Sequence, residues 1–135
     1  PTKQKADNFN RLVFDIYEHS MTVSKIIEQS DHGDEIVKRL RKNGTLLDRL
    51  FDQIEAKLYE ILHAKYPSMN PAVLNIWYGL STDRDATHQA IAKELNISKD
   101  SVSETRTAYL KHLRSPGTIA ALEQIIRQAA HQAST

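Results

Sequence analysis

The sequence predicts an all-α fold, and three observations carry that expectation. Glycine and proline are scarce, four of each in 135 residues, so helices are rarely interrupted. No long stretch keeps the apolar–polar alternation of a half-buried strand. Apolar residues return instead at three- and four-residue spacing, which gathers them on one side of a helix.

The first helix is expected to begin near Asp7 or Asn8. Phe9, Leu12, Val13, Ile16, Val23, Ile26 and Ile27 share one face, until "SDHGDE" (30–35) breaks the pattern. A short helix follows through Ile36, Val37 and Leu40, with Asn43-Gly44 as its expected C-cap. Thr45 is expected to cap a long helix striped by Leu47, Leu50, Phe51, Ile54, Leu58, Ile61 and Leu62. Two amphipathic helices joined by a short element make a hairpin, which must pack on something else. "KYPSMNP" (65–71) carries two prolines and divides the chain into segments 1–66 and 67–135. Beyond it, helices are expected over 71–80, 87–95, 99–114 and 118–132, followed by a frayed "HQAST" end.

Composition narrows the functions open to the chain. Forty per cent of residues are apolar, enough for the core of one domain or at most two small ones. Charged residues make up 26% and the formal net charge is +1, so contact with nucleic acid has to be local. The absence of cysteine excludes disulfides, thiolate nucleophiles and cysteine zinc sites. The six histidines lack metalloprotease spacing, and "DHGDE" (31–35) reads as a solvated turn rather than a hard-metal loop. With no glycine-rich phosphate loop, nucleophile elbow or paired carboxylates, no catalytic residue, metal or cofactor is expected. No apolar run approaches the ~20 residues of a membrane span, and "PTKQKADNFN" is no signal peptide, so a soluble cytoplasmic protein is expected.

Residues 88–107, "HQAIAKELNISKDSVSETRT", meet the requirements of a helix-turn-helix. Ala92 is the small residue where two helices cross, and Ile91 and Leu95 point inward before the turn. Asn96 tolerates left-handed backbone, Ile97 follows as an apolar anchor, and Ser98 caps the second helix. Asp100 favours the positive end of the helix dipole, and Val102 supplies the next inward contact. Lys99, Asp100, Ser101, Ser103, Glu104 and Thr107 are then expected to point outward, where a major groove would meet them. Lys111, His112 and Arg114, with Arg106 earlier on the helix, would either grip phosphates or complement its C-terminal dipole.

Residues 72–122 resemble region 4 of the sigma-70 family of bacterial transcription initiation factors. The likeness runs without a gap from a "VLxxxxG" helix through "T…IAxxL" into the recognition helix. It ends on an "LxxLRxP" tail formed by Leu110, Leu113, Arg114 and Pro116. The resemblance implies a domain that reads the promoter −35 element and docks on the flap of the RNA polymerase β subunit. It aligns Lys99 and Asp100 with base-contacting residues of the family, while Ser101, Ser103 and Glu104 depart from its charges. Leu74, Trp77, Tyr78 and Leu80 fall in the helix implied to meet the flap, Trp77 at an outward position and Tyr78 at a core one.

Nothing before residue 65 resembles sigma region 2, which melts promoter DNA in that family. The expectation is therefore a solitary region-4-like domain joined to an N-terminal helical module. It would bind double-stranded promoter DNA, polymerase, or both. The alternative is a module that mimics region 4 and binds polymerase or a regulator without reading DNA. The N-terminal helices would bind a partner or form a homodimer through a second apolar face.

Overall fold

The computed structural model of the chain describes residues 3–30, 32–69, 77–78, 92–93 and 95–134. These hold α1 (Lys3–Ile16), α2 (Val23–Glu28), α3 (Gly33–Lys42), α4 (Gly44–Lys65), α5 (Lys99–Leu113) and α6 (Pro116–Ser134). No strand occurs among the described residues, and the all-α expectation holds for them.

The single helix expected from residue 7 to 27 is two helices. At the end of α1, the His19 N–H donates to the Phe14 carbonyl at 2.7 Å and the Glu18 N–H to the Asp15 carbonyl at 3.2 Å. This pair of bonds is a Schellman closure. It places Glu18 and His19 in the left-handed region, with φ of 53° and 71°. Thr22 then starts α2, its hydroxyl accepting the Lys25 N–H at 3.2 Å. Ile16 and Val23 lie about two helical turns apart, so the apolar period runs undisturbed across the break. Periodicity alone does not reveal it.

The next two joins are tight. A Cβ on Gly33 would lie 2.5 Å from the Glu28 Cα and carbonyl oxygen, so only glycine lets α3 begin against the end of α2. Asn43 both ends α3 and starts α4. Its N–H reaches the Arg39 carbonyl at 2.9 Å and its side-chain oxygen accepts the Leu46 N–H at 3.3 Å. Asn43, not Thr45, is the cap, in keeping with the greater strength of asparagine in that role.

Phe9 of α1 stacks on Phe51 of α4 with ring centroids 4.3 Å apart. Around that pair, Leu12, Ile16, Leu50, Ile54, Leu58 and Leu62 are buried. Fully burying each such side chain contributes about 1.5–3 kcal/mol. Those N-terminal helices also pack on a further element. The most extensive helix packing of α4 is with α6, which also reaches α2 and α3. Leu122, Ile126 and Ala130 form the buried stripe of α6, one turn apart. The described parts of 1–66 and 67–135 consequently share one hydrophobic core.

The "HQAST" end is more ordered than expected. Helix α6 continues to Ser134, Ala133 is buried, and its carbonyl accepts the Arg39 guanidinium at 3.2 Å. At the other end of α6, Ser115 caps the helix by accepting the Thr118 N–H at 3.4 Å, ahead of Pro116. Proline suits that first position, since its missing N–H would have no helical partner there. No helix among the described residues is long and apolar enough to cross a membrane.

Candidate nucleic-acid interface

The turn before α5 has the expected geometry. Asn96 is left-handed, with φ of 55°. The Ile97 N–H donates to the Ala92 carbonyl at 3.0 Å and the Asn96 N–H to the Lys93 carbonyl at 3.3 Å, a second Schellman closure. Ile97 packs half-buried against the core, and the Ser98 hydroxyl accepts the Ser101 N–H at 3.2 Å. Ala92 and Val102 are buried as the pattern requires, and Leu95 is half-buried. Of the helix before the turn, only Ala92, Lys93 and Leu95 are among the described residues, and Ile91 lies outside them.

Beyond the turn, Lys99, Asp100, Ser103, Glu104, Thr107 and Lys111 are exposed, and Ser101 is half-buried. Lys99 and Lys111 stand roughly 18 Å apart along α5 at the usual helical rise. The charges of Asp100 and Glu104 balance those two lysines, so the face is polar without being basic.

Arg106 and Arg114, expected among the DNA-contacting residues, are half-buried and engaged within the chain. Both turn toward Asp15 of α1. Arg106 Nη2 lies 2.9 Å from Asp15 Oδ2, and Arg114 donates to the Asp15 carbonyl from Nε at 3.1 Å and Nη2 at 2.9 Å. The Tyr78 hydroxyl donates to Asp15 Oδ2 at 2.7 Å. Burial, and then that hydrogen bond, pushes the Tyr78 phenol far above its ordinary value, so it remains a donor. Arg106 and Arg11 lie over the Tyr78 ring at 5.2 and 5.7 Å, and Arg11 also donates to the Tyr78 carbonyl at 3.4 Å. The Asp15 side chain is only 14% exposed, so solvent screens the Arg106 pair weakly. The network ties α5 and its C-cap to α1 through one residue, Asp15.

The outward placement of Trp77 is corrected. Its expected outward position is buried, with 5% exposure, against Tyr109 at 5.3 Å between centroids. Tyr109 in turn packs on Tyr66 at 4.7 Å, and His112 meets the edge of Tyr66 at 6.2 Å. The indole N–H of Trp77 and Nε of Arg106 are buried and find no hydrogen-bond partner among the described residues. Tyr78 is buried as expected of a core aromatic, while Leu74 and Leu80 lie outside the described residues. No large apolar side chain among the described residues is exposed.

Asp15 is not among the residues expected at the site, yet the sequence carries a signal for its role in holding α5. It sits beside the buried stripe of Leu12, Val13 and Ile16, where a carboxylate needs a cation or donor. Tyr66 and Tyr109 carry no comparable signal, because only the folded chain brings them together. Compared with family models, characterised proteins and solved structures, the chain matches none.

Proposed function

We propose that this chain is a transcription regulator that presents α5 to promoter DNA, with the RNA polymerase β-flap as a second partner. One observation carries the reading: a left-handed turn at Asn96 and a Ser98 cap project the outward residues of α5 from a helix anchored to the core. The likeness of residues 72–122 to sigma region 4 supplies the kind of target. On this reading Lys99 and Lys111 meet phosphates, while Ser103 and Thr107 face base edges. Arg106 and Arg114 set the angle of α5 by holding Asp15 and do not touch DNA.

The balanced charge of the face favours a second reading, in which α5 docks on polymerase or a regulator without reading DNA. Promoter immunoprecipitation and pull-down with a β-flap fragment, each repeated with Lys99→Ala combined with Lys111→Ala, separate the two. Promoter signal that the double variant loses while flap capture persists supports the first reading. Flap capture with no promoter signal from the native chain supports the second. Absence of both, with folded protein, defeats the proposal.

A further inference from the structure

A cavity of about 430 Å³ opens among α1, α2, α3 and α4, and no residue of α5 or α6 lines it. Its size falls within the roughly 300–1,000 Å³ of small-molecule sites. Val23, Ile27, Leu40, Leu47 and Phe51 form its apolar lining, and Lys3, Asp7 and Arg41 bring charge. Lys3 and Asp7 stand one turn apart on α1, so their charges offset each other. Arg41, exposed on α3, makes no ion pair among the described residues and leaves the cavity with one uncompensated positive charge. Asn10 and Ser24 complete the polar lining, already joined by a 3.4 Å bond from the Ser24 N–H to the Asn10 side-chain oxygen.

An apolar volume with a single free guanidinium selects for an apolar tail that ends in an anion. Tail burial gives about 0.8 kcal/mol per methylene. The guanidinium offers a carboxylate or phosphate a two-pronged donor that a neutral or cationic head cannot use. We propose that this cavity binds a free single-chain amphiphile with an anionic head group, its tail between α1 and α4 and its head at Arg41. The site is independent of α5 and of any contact with DNA.

Dodecanoate below its micellar concentration is the probe, measured by isothermal titration calorimetry on the whole chain. It should saturate at one molecule per chain. Arg41→Glu, at an exposed position, should weaken it about tenfold or more. Ala6→Leu, which places a larger side chain in the cavity wall, should abolish it, with circular dichroism confirming that both variants stay folded. Dodecylamine, with the same tail and a cationic head, should bind far more weakly. Four results would each overturn the assignment: no saturable binding, equal binding of dodecylamine, affinity unchanged in Arg41→Glu, or association with anionic vesicles alone.

Discussion

Asp15 ties Tyr78, Arg106 and Arg114 to α1. Its carboxylate takes the Tyr78 hydroxyl and the Arg106 guanidinium, and its carbonyl takes Arg114. Asp15→Ala leaves the buried Tyr78 hydroxyl without its acceptor and takes the ion-pair partner from half-buried Arg106, and is expected to cost about 2–3 kcal/mol in denaturant unfolding. Arg106→Gln should cost less, since Tyr78 still satisfies Asp15. The double variant should fall short of the sum by about 1–2 kcal/mol, the coupling expected of groups in contact. Glu55 on α4 works in the opposite direction. Burial, and then the neighbouring Asp52 carboxylate, pushes its carboxyl above the usual range. Its folded state therefore holds the proton more tightly than the unfolded chain, and its contribution to stability is lost as pH rises through the folded value. Glu55→Gln should accordingly raise the melting temperature at pH 7, with the gain disappearing near pH 4. A gain that persists at pH 4 would show that charge is not its cause.

At the scale of elements, the joins between helices decide the fold more than the helices do. The apolar stripes of α3 and α4 and the approximate extents of α5 and α6 were legible because their ends carry turn residues. The break between α1 and α2 was not, because Ile16 and Val23 keep phase across it and Glu18 and His19 carry no glycine signal. The double role of Asn43 was also hidden, since Thr45 offers an equally plausible cap in sequence. Gly33 shows what such joins require. Gly33→Ala drives a methyl to within 2.5 Å of the Glu28 backbone, which cannot yield as a flexible side chain would. The expected loss is about 2–3 kcal/mol by thermal or denaturant unfolding, the range of overpacked sites. A neutral result would mean that α2 and α3 meet less closely than described.

For the whole molecule, the governing fact is one core shared across the proline-containing boundary at 65–71. A linker of that composition reads as a division, but α6, which carries the stripe of Leu122, Ile126 and Ala130, packs among the described residues on α2, α3 and α4. That pairing joins residues far apart in sequence and leaves no local pattern. The candidate site was legible by halves for the same reason. The turn at Asn96 and the outward residues of α5 follow from local spacing, whereas the capture of Arg106 and Arg114 by Asp15 depends on α1. On the proposed reading the consequence reaches function, since Lys99 and Lys111 are the exposed ones among the candidate cations of α5 and its C-cap, and they would be the ones to meet phosphates. The decisive measurement is the salt dependence of binding to whichever duplex selection from a random pool enriches. Two phosphate contacts give a log–log slope of about −2, falling toward zero in Lys99→Ala with Lys111→Ala. A slope near −4, or no duplex bound at ~50 mM salt, would contradict the account.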